Sequence, residues 1–409
     1  MQRTEEQQIK TIGGTIFTLL FPFFSCLAAF LNLKSRNAYI AIALFYLLFG
    51  LAFNPVNEAA DSYRYAEDFI SFARDPEGNL SYAFDTYFGD NSSDQDEFKD
   101  VYIYVMYYLA AKIGGTNVHV LFFLFSVVFT FFALKSLTYI TRNSNYRNCL
   151  PMYILLFLFI YSNNIFNING VRFWTASWIA VYLTFKILID RKFNYALLLP
   201  ILPLVHASYI IYVAFVVLAY LVRRNVPVLC KIYIISFFFG EIGLTMLDYV
   251  NDFMPGYIQR MIWSYTESEW GQSRIDGTED AKEALYARIL FALPRYYELI
   301  LLFLASRKYK SFKNKQFLGF TLAYFSLFNI CAMIPSMGRY YLVGYPFIIY
   351  IWVNEYQSLK CYNKYLYLAP AVYAYTVFRW VRSVASVTDA SLYISNVFHI
   401  IYNAFAKQP

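Results

Sequence analysis

FNYALLLPILPLVHASYIIYVAFVVLAYLV, residues 193–222, is an almost wholly apolar stretch that begins just after Asp190-Arg191-Lys192 and ends against Arg223-Arg224. A helix needs roughly 20 apolar residues to cross a hydrocarbon core about 30 Å thick. Two full crossings therefore do not fit between these two basic loops. A single crossing would put Arg223 and Arg224 on the far side and invert the charge bias of every later loop. The reading that fits is a pair of short helices or a re-entrant hairpin, broken near Pro200, Pro203 and His206. Irregular backbone at membrane depth persists only where protein or a water-lined cavity satisfies its polar groups. His206 is thus expected beside an outward-facing cavity.

The rest of the chain has the same character. Of its 409 residues 59% are hydrophobic and 15% charged, and the mean hydropathy is +0.41. Apolar runs separated by short polar loops continue from end to end, so the expected fold is all-α, a polytopic integral membrane protein. About twelve transmembrane helices can be placed, some short or broken. Residues 1–409 read as a single transmembrane domain. The first run, Thr15 to Leu31, lacks a basic n-region before it and a small-residue cleavage site after it, and reads as a retained span. The five cysteines are scattered singly with no metal-ligand spacing and read as apolar filler.

Orientation follows from basic residues. Segments 32–37, 139–148, 190–192, 223–231, 306–315 and 357–364 hold sixteen Lys or Arg and one acidic residue, Asp190. These six loops are expected on the cytoplasmic side. Residues 54–100 carry twelve acidic and three basic residues, and residues 247–288 carry eight and four. Both are expected outside, as is the N-terminus. The net charge of +7 resides in the cytoplasmic loops, so it reports topology and contact with anionic lipid rather than nucleic acid.

Ionisable residues inside apolar sequence are costly and mark candidate sites. Arg172 follows an Asn-rich turn, residues 161–170, at the outer start of a helix, and Arg339 occupies the equivalent place after Pro335-Ser336-Met337-Gly338. Arg288 and Arg295 begin another inward-going span. Several cations thus converge on the outer face. The short cytoplasmic loops leave no room for a nucleotide-binding domain, so an exoplasmic transferase would need an activated donor delivered in the bilayer, such as a polyprenyl pyrophosphate-linked sugar. Arginine suits that group, because its planar fork binds phosphate oxygens through paired, charge-assisted hydrogen bonds.

Four elements in order carry a resemblance: Asp61-Ser62-Tyr63-Arg64-Tyr65, Val171-Arg172-Phe173-Trp174, His206-Ala207-Ser208 and Gly338-Arg339-Tyr340-Tyr341. From about residue 12 to residue 360 the chain resembles the EpsG-like family of bacterial exopolysaccharide polymerases, related to Wzy-type O-antigen polymerases. It departs from the pattern at Asn54-Pro55-Val56-Asn57-Glu58, where many members carry Arg and Gly ahead of the Asp. The resemblance implies a glycosyltransferase similar to the GT-C membrane class, acting at the outer face of the bacterial cytoplasmic membrane. Its substrates would be an undecaprenyl pyrophosphate-linked donor and acceptor, its partners the bilayer, a chain-length regulator and a flippase, with no cofactor. It further implies that Arg172, Arg339 and Arg295 bind pyrophosphate, with Arg288, Arg64, Tyr65 and Tyr340 beside them. His206 would serve as acceptor base, with Asp61 or Glu58 in competition.

Simpler readings stand beside these. Arg172 at a helix end can snorkel to the interface, His206 can cap a carbonyl freed by Pro203, and Arg379 and Arg382 fit an interfacial anchor. The acidic run Asp90 to Glu97 suggests a divalent metal but has Gln95 and Val101 where a calcium loop needs Gly and Glu, so it reads as a solvated loop and no metal is expected. A lipid-linked sugar flippase or transporter, or an O-antigen-ligase-like transferase, remains an alternative function.

Overall fold

The computed structural model describes residues 13–56, 58, 60–88, 100–240, 285–334 and 337–406, with isolated positions between 242 and 268. The acidic run 90–97, most of the 247–288 loop and the first twelve residues lie outside the described residues. The described chain is almost entirely helical, with no strand and one isolated antiparallel bridge, Phe53 to Thr388.

Among the described residues three stretches are long and apolar enough to cross a membrane: Val118–Thr141, Leu150–Leu188 and Leu285–Arg307. The second contains the Leu150–Ser162 helix, a 3-10 turn at Ile165–Gly170 and the Val171–Leu188 helix. The other apolar segments are shorter or interrupted. The first run breaks at Phe21, ahead of the Pro22–Ala29 helix. Local chemistry sets several boundaries. The side chains of Ser35, Asn117, Asn164 and Asn314 accept hydrogen bonds from the first backbone N–H groups of the helical segments that follow them, donors that would otherwise be unsatisfied. Gly115, at φ 61°, turns the chain between Val101–Gly114 and Val118–Thr141.

The 193–222 stretch has the interrupted form its length demands. A 3-10 turn at Phe193–Leu198 leads into a five-residue helix, Ile201–Val205, which ends at His206 in an extended conformation. Tyr209–Val222 then returns. Its 14 residues span roughly 21 Å at 1.5 Å per residue, short of a full crossing.

The basic loops meet in one layer. Lys34 lies over the Tyr146 ring at 6.0 Å, and Tyr39 hydrogen-bonds Thr141. Tyr139 donates to Asp190 at 2.7 Å. The Asn143 side chain donates to Asn354 at 3.0 Å, and the neighbouring Glu355 accepts from the Lys313 and Asn314 amides. Lys308 lies over the Tyr362 ring at 5.9 Å. A methyl group on Gly319 would overlap the Arg223 carbonyl, so the helix that begins at Lys315 packs closely against the start of the fourth loop. The six segments of the charge argument, with the helix ends that flank them, therefore gather at one level.

The opposite ends of the helices gather separately. Asn54 donates to the Val387 carbonyl at 2.9 Å, the Ser62 amide donates to Asn169 at 3.4 Å, and the Asn117 side chain reaches the Ala404 carbonyl. Between the layers the helices approach closely at small residues. A Cβ on Gly50 would stand 2.6 Å from the Phe122 carbonyl, so Arg36–Ala52 and Val118–Thr141 cross almost backbone to backbone, the packing that small residues permit where no hydrophobic force drives helices together.

Candidate functional site

The break at His206 is bound to the outer end of the Val171–Leu188 helix through one carboxylate. Asp100, which directly precedes the Val101–Gly114 helix, is 3% exposed. Its Oδ1 accepts the Ala207 amide at 2.9 Å, and its Oδ2 receives Arg172 Nη1 at 3.0 Å. Arg172 Nε donates to the Tyr65 hydroxyl at 2.9 Å, and its guanidinium carbon lies 5.2 Å from the Tyr65 ring centre. Arg172 is thus held on two sides by protein and is not a snorkelling anchor. Its side chain keeps 23% exposure. Burial pushes the Asp100 carboxyl up to about 6, and the Arg172 charge and the Ala207 amide offset part of that rise.

His206 Nδ1 lies 2.8 Å from Ser208 Oγ, and the Tyr340 hydroxyl lies 2.7 Å from the Ser208 carbonyl and 2.8 Å from its Oγ. The imidazole therefore bonds a side chain rather than a carbonyl freed by Pro203. With Nδ1 engaged, Nε2 is the nitrogen left for a ligand. Phe173 is the hub: its ring meets His206 edge-on at 5.4 Å, packs on Tyr340 at 5.3 Å, and carries the Arg339 guanidinium at 5.7 Å. Phe173 thus joins Arg339 and His206, and Asp100 joins Arg172 to the residue after His206. The Tyr209 hydroxyl donates to the Phe173 carbonyl at 3.1 Å, fixing the first turn that carries Arg172.

Arg172, His206, Arg339, Tyr65 and Tyr340 are therefore brought together. Other candidates stand apart. Asp61 and Arg64 form an ion pair with each other on the surface of one helix, one turn from Tyr65, and Glu58 is exposed. Arg288 is exposed near the start of its helix. Arg295 lies elsewhere, donating to the Tyr341 hydroxyl at 2.8 Å, which donates in turn to Asn329. Among the described residues no group of three or more His, Cys, Asp or Glu is placed to hold a metal ion.

Asp100 is the residue that sequence reasoning missed. Its signal was position: it is the last acidic residue of a long polar loop and immediately precedes an apolar helix.

No family model matches the chain, and neither a curated protein nor a solved structure matches it.

Proposed function

We propose that this chain is a glycosyltransferase of the bacterial cytoplasmic membrane, similar to the EpsG-like polymerases and the GT-C class. In this reading it has about twelve spans, an outward N-terminus and a centre on the outer face. It joins undecaprenyl pyrophosphate-linked oligosaccharide repeat units into surface polysaccharide, with the growing chain as donor and the incoming unit as acceptor. The observation that carries the reading is the convergence of two arginines and a histidine around Phe173 and Asp100 at a helix break, at the opposite end from the basic loops.

The chemistry follows from the groups. Arg172 and Arg339 bind the pyrophosphate oxygens and stabilise the negative charge that grows on the leaving group. The acceptor hydroxyl attacks the anomeric carbon; the new C–O bond forms as the bond to pyrophosphate breaks. His206 Nε2 takes the hydroxyl proton while Nδ1 remains engaged with Ser208. Asp61, occupied by Arg64, is the weaker candidate base. Asp100 positions Arg172 and the Ala207 amide that follows His206.

The test uses purified protein in nanodiscs with an authentic lipid pyrophosphate-linked repeat unit, followed by gel. A ladder of longer lipid-linked products that disappears in Arg172→Ala and in His206→Ala supports polymerisation. A normal ladder from correctly inserted variants refutes the assigned roles. The interrupted 193–222 pair also favours a second reading, a flippase, because broken helices line transporter cavities. Lipid-linked substrate crossing a reconstituted bilayer without bond formation would select it.

A further inference from the structure

Arg295 and Arg379 line a separate cavity of about 500 Å³, with Tyr161, Phe291, Tyr345 and Trp380 among its walls. It lies where the Leu285–Arg307 and Ala369–Ala385 helices pack beside Gly338–Asn354. Neither guanidinium has a carboxylate ion-pair partner among the described residues. Arg295 Nε is buried without any hydrogen-bond partner, while its Nη2 is anchored by Tyr341 and its guanidinium carbon lies 4.0 Å from the Tyr341 ring centre. Arg379 rests over Phe291 at 5.1 Å. Two cations thus border one cavity, one of them anchored by Tyr341, with no ion pair to a carboxylate among the described residues, an arrangement that is costly at membrane depth unless an anion or water completes it.

Depth and surroundings identify the anion. Arg379 is six residues from the Ala385 end of its helix, about 9 Å along the axis, and Arg295 is twelve residues from Arg307, about 18 Å from the basic layer. Both therefore lie in the half of the membrane away from the basic loops. The exposed faces of the same two helices carry large apolar side chains, Phe378 at 65% exposure, Val381 56%, Ile289 53% and Phe291 40%, beside exposed Arg288, Arg379 and Arg382. A ligand fitting both features has an anionic head in the cavity and a hydrocarbon tail along these residues.

We propose that this cavity binds the phosphate headgroup of a lipid in the leaflet away from the basic loops, drawn in sideways between the two helices. The guanidiniums take the phosphate oxygens and Trp380 contacts the region below the head. This does not rest on the polymerase reading, since a transporter would hold the same lipid.

The full chain in nanodiscs tests it through Trp380 fluorescence, isolated as the difference between wild type and Trp380→Phe. Brominated phosphatidylglycerol is expected to quench that component more effectively than brominated phosphatidylcholine, with about fivefold of the preference lost for each arginine changed in Arg295→Gln or Arg379→Gln. Equal quenching by the two lipids in wild type overturns the proposal, and that comparison needs no arginine variant to fold. Competition arms name the source. Reversal by unlabelled phosphatidylglycerol assigns a bilayer phospholipid, reversal by undecaprenyl phosphate at lower mole fraction assigns the carrier lipid, and reversal by inorganic phosphate alone overturns the lipid in favour of a free-phosphate site. Loss of the repeat-unit ladder with the lipid preference intact would sink the polymerase reading and leave this one standing.

Discussion

Removing Asp100 should unfasten three segments at once. Its carboxylate accepts from Arg172 and from the Ala207 amide in a site 3% exposed. Asp100→Ala leaves Arg172 Nη1 and the Ala207 N–H without an acceptor and the guanidinium without its counter-charge, with Tyr65 as its remaining partner. Breaking a buried pair costs about 3–5 kcal/mol, and the 23% exposure of the Arg172 side chain places the cost near the lower end. Arg172→Ala leaves the carboxylate with a single amide donor and should cost a similar amount. The double variant removes both charges and retains only the unsatisfied Ala207 amide, worth about 1–3 kcal/mol. Its destabilisation should therefore fall short of the summed single costs by about 2 kcal/mol or more. Reversible unfolding in mixed micelles, followed by tryptophan fluorescence, measures all four proteins. Costs that add within about 0.5 kcal/mol would refute the coupling, since that is how independent sites behave.

Three further outcomes follow from other parts of the molecule. Asp100 has a folded value of about 6 against an ordinary 3.8, so the stability this carboxyl contributes is full below the lower value and falls as pH rises through the higher one. Below about 6 the neutral acid also stops neutralising Arg172, so a lipid pyrophosphate should bind more tightly at about pH 5 than at about pH 8 relative to Asp100→Asn, in which that titration is absent; equal pH profiles in a fluorescence titration would contradict this. Gly319→Leu drives a side chain into the Arg223 carbonyl and should cost about 1–3 kcal/mol or abolish insertion, read as a lowered Tm. Glu298 is fully buried, its Oε1 accepting from Tyr373 at 2.8 Å and its Oε2 unpartnered. Glu298→Gln should keep the melting temperature within a few degrees, whereas Tyr373→Phe should cost about 1–3 kcal/mol; the reverse order in thermal unfolding would show that the carboxyl is held by something else.

The helical class and the pairing of loop ends were legible because both depend on quantities that sum along a chain. Apolar length and the placement of Lys and Arg are averages over many residues, and the contacts from Lys34 to Tyr146, Tyr139 to Asp190 and Lys308 to Tyr362 join the loops that the average groups together. The break at His206 was legible for a related reason: thirty residues cannot cross twice, and two prolines mark where the backbone gives way. The turn at Ile165–Gly170 that divides one apolar stretch was legible from the four asparagines in and just before it, whereas the interruption of the first apolar run at Phe21 carries no such polar signal.

The site divides along the same line. Arg172 and His206 stand out because an ion in apolar sequence is anomalous wherever it occurs, whereas Asp100 sits in a loop with eleven other acids, where a carboxylate is ordinary. What distinguishes it is contact across 72 and 107 positions, and no local pattern encodes that. The same logic separates the arginines. Arg172 and Arg339 share Phe173 because one hub residue lies next to Arg172 and packs on the neighbour of Arg339. Arg295 has the same residue type and a similar setting in sequence, yet its helix directs it to Tyr341 and Arg379's cavity. Charge in an apolar run tells which residues need a partner; packing decides which of them share one, and the division into two cationic sites follows from that step alone.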